Sequence, residues 1–330
     1  MSTNDYTHPR VICQDGSCSV EAEEILIDKS ATGRERPWRD KRISTEALVK
    51  IYREVNEKKA DRLSQCGTWL DFVLTDGGKK LVSMDSCRVR LCPLCGWRRS
   101  IKIYSHTMQI VEQMPKYKFI LLTLTVKNVP CYQLCAQIDD MMRGWQRLTQ
   151  RKRFRAAVAG WYRGLEVTHN VNQKSPSFDT YHPHFHCLLA VSERYFKGDN
   201  YIKQEEWQQL WRSVMRLEYD PQVDVRTVKT STPKAVAEVA KYACKESDYI
   251  IPEQIELSVS AVETLDKALE NRRLVAYGGK MKEIHNALHL DDEVDGDLTN
   301  AEGDNGGIED DAPHEFYFWH VGYHQYLKFF

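Results

Sequence analysis

The segment TYHPHFHCLLAV (residues 180–191) sets histidines at alternate positions and then becomes continuously apolar. Alternation is the period of a β-strand, so His184 and His186 share one face while Phe185 and Cys187 point to the other, toward a core. His182 joins the first face if the strand extends past Pro183. Imidazole is the commonest nitrogen ligand for divalent metals, and two on one face form a two-point claw. An arbitrary His-x-His pair is also the mark of a surface cluster or a satisfied core pair. Glu166, in GLEVT, bears on the choice. If the strand that holds it pairs with the histidine strand, its carboxylate completes a set of two imidazoles and one carboxylate. Such a set suits Mn2+ or Mg2+ and leaves positions open for substrate oxygens.

The surrounding pattern alternates strands and helices. YKFILLTLTV (Tyr117–Val126) reads as a buried strand. Residues 131–157 read as one or two helices, and Gly160–Asn170 as a strand. A polar turn at Gln173–Asp179 leads into the histidine strand, so the two strands can form a hairpin. Gln204–Tyr219 reads as a helix, Val223–Val228 as a strand, Lys234–Tyr249 as a helix, and roughly 258–271 as another. Upstream, Ser44–Leu63 and Trp97–Met114 have helical spacing. The expected fold class is α+β: a central antiparallel sheet carrying the histidine pair, with helices covering one face.

Two further groups carry chemistry. In EVAKYACK, Glu238, Tyr242 and Lys245 fall along one helical face. Tyrosine can be a covalent nucleophile, lysine can bind a phosphate or favour the phenolate, and glutamate can act as a general base. An ordinary amphipathic helix offers the same trio. Cys92 and Cys95, in LCPLCGWRR, form a C-x2-C pair, with Cys87 and Cys66 behind them. Four thiolates with a tight terminal pair suit a structural tetrahedral Zn2+. Arg88, Arg90, Arg98 and Arg99 surround that knuckle, which suggests a DNA-contacting module.

Charge supports such a partner weakly. Residues 291–311 hold ten acidic residues and no Lys or Arg, and setting these ten aside turns the net charge of −1 into +9 for the remainder. A basic body with one acidic segment is compatible with a phosphate-rich partner. The longest apolar run, Phe119–Val126, is too short to span a bilayer, and the first 30 residues contain no signal-peptide core. The expectation is a cytoplasmic protein without a membrane partner, whose ten cysteines are ligands or core residues rather than disulfides.

Taken together, these motifs resemble the rolling-circle replication initiators of small plasmids, within the HUH endonuclease class named for His-hydrophobic-His. FILLTLTV is similar to the family's first motif, EVTHN…HPHFHCLL to its metal motif with the upstream Glu, and AEVAKYACK to its Y-x-x-K nucleophile motif. The resemblance covers about residues 34–289. It implies a ferredoxin- or RRM-like palm. It also implies binding to plasmid origin DNA and nicking of one strand where the site is single-stranded. Tyr242 would become linked to the 5′-phosphate, with a divalent ion on His184, His186 and Glu166. A host helicase and other replication proteins are implied partners.

Where relatives carry a second tyrosine one turn earlier, this chain has Glu238. The resemblance implies the single-tyrosine branch, in which that Glu directs water at termination. Lys241, beside the nucleophile, joins the DNA-binding candidates, and Tyr249 is the fallback nucleophile. The implied organisation is a flexible tail (1–33), a helical module with the four-cysteine zinc knuckle (34–115), a nicking domain (116–289), an acidic disordered linker (290–313) and an aromatic segment packing on the body (314–330). An HUH transposase or relaxase is the nearest rival in chemistry. A non-catalytic zinc-containing DNA-binding regulator is the rival from another class. It leaves the order strand, Glu, His-x-His, Tyr–Lys without a reason.

Overall fold

The computed structural model describes residues 11–14, 17–20, 25–30, 33–75, 78–228, 232–240, 244–292, 296–299, 301 and 312–329. The chain forms two compact units, one from residues up to Arg98 together with Leu298–Phe330, the other from Arg99–Asp297. Among the described residues, no helix is long and apolar enough to cross a membrane.

The first unit begins with an antiparallel hairpin of β1 (Val11–Gln14) and β2 (Ser17–Val20). Helix α1 (Trp38–Val55) follows Pro37, and α2 (Glu57–Gln65) follows a break at Asn56. Asn56 makes the break: it is extended, and its side chain accepts from the Lys59 amide at 3.0 Å, capping α2. The spacing predicted one helix over 44–63; it is two. Strands β3 (Trp69–Thr75) and β4 (Gly78–Met84) pair antiparallel. Trp38 packs edge-on against Phe72 of β3 and against Trp97.

Two expectations for this region are corrected. The module is not purely helical, because it is built on a sheet. Nor are residues 25–30 a loose tail. Asp28 is 2% exposed and accepts from the Trp38 indole at 2.7 Å and from Arg36 at 3.1 Å. A short polar segment has no periodicity of its own; side chains from α1 and its approach order it.

Helix α3 (Pro93–Glu112) contributes its start to the first unit and residues from Arg99 to the second. The second unit then adds β5 (Tyr117–Thr125), α4 (Cys131–Gln150), α5 (Lys152–Ala157), β6 (Val158–His169), β7 (Tyr181–Ser192), α6 (Gln204–Met215), β8 (Val223–Thr227), α7 (Thr232–Val239), α8 (Ile255–Leu269), β9 (Val275–Gly279) and α9 (Lys280–Ala287). Its five strands run in the order β8-β5-β7-β6-β9, with every neighbouring pair antiparallel. The α+β expectation holds, and besides the β1–β2 hairpin the described residues form two larger antiparallel sheets instead of one.

Both faces of this sheet are packed. On one, Phe185 meets Trp145 of α4 and Trp211 of α6, and Trp145 also meets Phe154 of α5 and Trp161 of β6. On the other, Phe119, Leu121, Tyr162, Leu188 and Tyr277 form a core with Ile103 and Ile110 of α3, Val236 and Val239 of α7, and Met281 of α9. The strand registers put His184, His186 and Glu166 on this second face. Helix α7 ends at Val239, short of the predicted Lys234–Tyr249 helix; Glu246–Asp248 make a separate 3-10 turn. Nothing in that sequence marks a stop, since no Gly or Pro interrupts Ala235–Tyr249.

The described part of the acidic stretch is not a disordered linker. Asp291 and the Asp297 carbonyl accept from Lys102, an ammonium 1% exposed on α3. A buried cation requires such partners. Leu298 and Ala301 are buried in turn. The chain then enters β10 (His314–His320) and β11 (Gln325–Phe329), giving the first unit a four-stranded sheet of order β11-β10-β3-β4. Tyr317, Trp319 and Tyr326 are buried there. Glu315 sits within this sheet. Burial alone would raise its pKa, but hydrogen bonds from Lys328, Lys79 and Tyr317 bring it down to about 2.

Trp145→Ala should destabilise the protein by about 3–5 kcal/mol in urea denaturation, because a buried indole leaves a cavity against Phe154, Trp161 and Phe185. Less than about 1 kcal/mol would mean that the helical layer does not depend on it. For Glu315 the folded-state pKa is depressed, so its stabilising contribution is present above about 4.5 and is lost as pH falls toward about 2. Glu315→Gln should therefore be less stable than the parent at pH 7, and the difference should narrow steadily between pH 4.5 and 2.

Candidate metal centres

Glu166 on β6 lies directly opposite His184 on β7, and His186 is two residues further along the same face. The Glu166 carboxylate is 2.9 Å from His186 Nε2 and 3.5 Å from His184 Nε2. Burial alone would push Glu166 up, but hydrogen bonds from the two histidines hold it well below the usual carboxylate range. His184 donates from Nδ1 to the His182 carbonyl at 3.0 Å. The Nδ1 of His186 lies 3.4 Å from Thr123 Oγ1 on β5. These outer contacts turn both Nε2 atoms toward the carboxylate, the orientation that metal-binding imidazoles need. One ligand atom from each of the three residues lies within 4.8 Å of the others, so the triad can hold a metal ion.

His182 stands beside this set rather than in it. Its ring stacks on His184 at 5.2 Å, and its carbonyl orients His184. Burial and the neighbouring His184 lower its pKa. Sequence reasoning missed Thr123. It sits on the alternating positions of FILLTLTV, but only the β5–β7 register shows that it faces His186.

The four knuckle cysteines also converge. Cys66 caps α2, Cys87 follows β4, and Cys92 and Cys95 open α3. Sγ separations are 3.6 Å for Cys66–Cys92, 3.5 Å for Cys66–Cys95 and 3.7 Å for Cys87–Cys95. A tetrahedral ion with thiolates about 2.3 Å away sets its ligands about 3.8 Å apart. All four thiols are buried, and no pair is bonded as a disulfide. Hydrogen bonds among the thiols, with burial, push Cys66 well above the usual thiol range, and burial does the same to Cys87. A bound cation reverses that preference. Gly67 makes the turn after Cys66 possible. Its φ is +66°, and a Cβ there would fall 2.2 Å from a Leu94 methyl.

The arginines of the knuckle divide. Arg98 is 1% exposed, donates to the carbonyls of Leu298 and Thr299, and lies over the rings of Trp38 and Trp97. It is an internal strut, not a DNA-facing cation, and Arg99 is buried as well. Arg88 is exposed, at a left-handed φ of 55°, and Arg90 is half-buried.

The predicted nucleophile Tyr242 and its neighbour Lys241 lie outside the described residues. Glu238, on α7, accepts from Arg226 of β8 at 2.6 Å. Lys245 is exposed. Tyr249, the fallback nucleophile, is 3% exposed, which closes it to a DNA strand. The flanks of residues 241–243 are tied to the strand that carries Glu166. Tyr162 donates to the Val239 carbonyl at 3.1 Å, and the Cys244 thiol lies at the Val167 main chain.

Comparison with known proteins places these sites in context. A family model described as "Replication protein" (Rep_1) matches residues 78–327. A protein named "Protein rep" from Bacillus amyloliquefaciens is 39% identical, over 92% of this chain and 97% of that protein. Proteins of the same name from a Bacillus species and from Streptococcus pneumoniae are 42% and 37% identical, over 73% and 86% of this chain and 84% and 89% of their own. No solved structure matches.

Metal analysis of the purified protein should return a thiolate-bound ion that Cys92→Ser removes, with loss of the first unit's folded signal. His186→Ala should retain that ion, while affinity for added Mn2+ falls by at least about tenfold. An unchanged Mn2+ affinity would remove the triad as a metal site.

Proposed function

Because this chain belongs to the Rep_1 replication protein family, the rolling-circle plasmid replication initiators its motifs resemble, we propose that it starts replication by nicking one strand of its plasmid origin through Tyr242. The observation that carries the reading is the convergence of Glu166, His184 and His186 on the sheet face against which α7 packs. Mn2+ or Mg2+ held there would supply Lewis-acid polarisation of the scissile phosphate. The four-cysteine cluster would hold Zn2+ in a structural role, since it is closed by four buried thiols and offers no open position.

The residues then divide the work. The Tyr242 oxygen attacks phosphorus and forms a phosphotyrosine bond to the 5′ side. The bond from phosphorus to the 3′ oxygen breaks, and that oxygen leaves as a 3′-hydroxyl on taking up a proton. Lys245 favours the phenolate or binds a phosphate oxygen. His182 and Thr123 hold the imidazoles in orientation. Glu238, fixed by Arg226, activates water at termination, so that the covalent link is resolved without a second tyrosine. Arg88, Arg90 and Lys241 contribute phosphate contacts, which position DNA without reading its sequence. The DNA is single-stranded at the nick, and a host helicase extends the opening. The setting is the cytoplasm.

The test is covalent trapping. The protein is incubated with Mn2+ and single-stranded oligonucleotides covering its origin, and denaturing gels are examined for a protein–DNA band. The band should form with the parent and be absent with Tyr242→Phe. A band that persists in the variant moves the nucleophile elsewhere. No band, with DNA binding intact, makes the protein a non-catalytic DNA-binding regulator.

A further inference from the structure

His169 ends β6, three residues beyond Glu166, and its side chain is fully buried. Its ring stacks on Tyr181 of β7 with centroids 4.4 Å apart and planes 6° apart. Nδ1 is 2.8 Å from the Asp248 carbonyl, and Nε2 is 2.9 Å from Asp179 Oδ1. A carbonyl only accepts, so in the Nδ1 contact the ring is the donor. The ring thus joins three pieces of chain: the end of β6, the turn before β7, and the segment after residues 241–243. Tyr162 and Val167, on the same strand, hold Val239 and Cys244 on either side of that triplet.

We propose that His169 is a positioning residue for strand transfer: its Nδ1–H···O=C bond to Asp248 fixes the segment following Tyr242 relative to the strand that bears Glu166. The proposal rests on the reading of Tyr242 as nucleophile. Strand transfer needs the attacking oxygen at a defined distance from the phosphorus, and a displacement of about 1 Å can cost about 100-fold in rate. A hydrogen bond between main chain and a stacked, buried ring is a short, stiff tether for that purpose. His169 touches none of the reacting atoms in this scheme; it acts through the backbone it holds.

Two variants isolate the bond. In His169→Asn the amide nitrogen falls near the place of Nδ1 and can still donate to Asp248. In His169→Gln the amide reaches toward Asp179, and the Asp248 carbonyl loses its donor. Both lose the stacked ring, so loss of packing is common to the two. Single-turnover adduct formation is measured with saturating origin oligonucleotide and Mn2+, alongside oligonucleotide affinity, Mn2+ affinity and melting temperature. His169→Gln should slow the covalent step by about 10- to 100-fold with both affinities unchanged, and His169→Asn should recover most of that rate.

Asp179→Asn, at a φ of 55° that asparagine tolerates, is the second probe. It should slow the same step by a few fold, about the effect of loosening one end of the tether. Equal rates for both His169 variants, or a loss of Mn2+ affinity in place of rate, would overturn the proposal. Parent protein that forms no Tyr242-dependent adduct overturns the nucleophile reading itself. An active parent with an unaffected His169→Gln overturns the tether alone.

Discussion

The register between β6 and β7 is the constraint on which the rest of the second unit depends. Glu166 faces His184 because Leu165 faces Phe185 and Gly164 faces His186 along a ladder that keeps one register from Gly160 to His169. Side chains alternate with a period of two, so a slip of one residue would send the histidines into the tryptophan layer and Phe185 out of it. Phe185, Trp145 and Trp211 make that slip costly, and so protect the metal-ligand geometry from the opposite face of the sheet. The neighbouring strand adds a second restraint: β5 pairs with β7 from Tyr117 to Thr125 and supplies the Thr123 contact to His186. A site built on an inner strand, paired on both edges, inherits the rigidity of the sheet.

The two ligand clusters differ in the way that structural and catalytic centres differ. The four cysteines are all buried, and their thiols lie within 4.8 Å of one another. The Glu166–His184–His186 set offers three ligands, and its His186 side chain keeps 15% of its surface open. Three protein ligands and a partly open side leave coordination positions for oxygen atoms from outside. The donor types agree: soft thiolates in the closed cluster, carboxylate and imidazole in the open one.

Much of the second unit was legible in the sequence, because its signals are local. The histidine strand, the Glu166 strand and the FILLTLTV strand declare themselves by period and β-branching, and their pairing brings together the ligands read from them. What was not legible depends on distant partners. Strands β10 and β3 pair across more than 240 positions of chain, and no local pattern in β3 announces β10. Arg98 and Arg99 read as DNA-facing cations because composition carries charge but not burial; the residues around Leu298 enclose Arg98. The same holds for the acidic stretch. A run of Asp and Gly cannot make a core of its own, yet Lys102 recruits two of its members as counter-groups. The break at Asn56 is a choice between competing local hydrogen bonds, and helical periodicity does not register it.

Strand β6 emerges as the common reference for this chemistry, with Glu166 and Tyr162 on one of its faces and Val167 and His169 on the other. It carries Glu166, its Tyr162 holds the end of α7, its Val167 meets Cys244, and its His169 holds Asp248. On the proposed reading, metal ligand and nucleophile segment are indexed to the same dozen residues of backbone, so small motions of the helices around the sheet would not change the distance between them. The alternative, a nucleophile carried on a helix attached to the sheet only by apolar packing, would leave that distance to the slide of one surface over another. Side chains in a packed core hop between rotamers, whereas hydrogen bonds from a strand to main-chain carbonyls have narrow limits of length and angle. On the proposed reading, short polar tethers on both sides of residues 241–243 are therefore the more exact way to set an attack geometry. They also explain why buried, hydrogen-bonded groups such as Tyr162 and His169 occupy positions that apolar residues could otherwise fill.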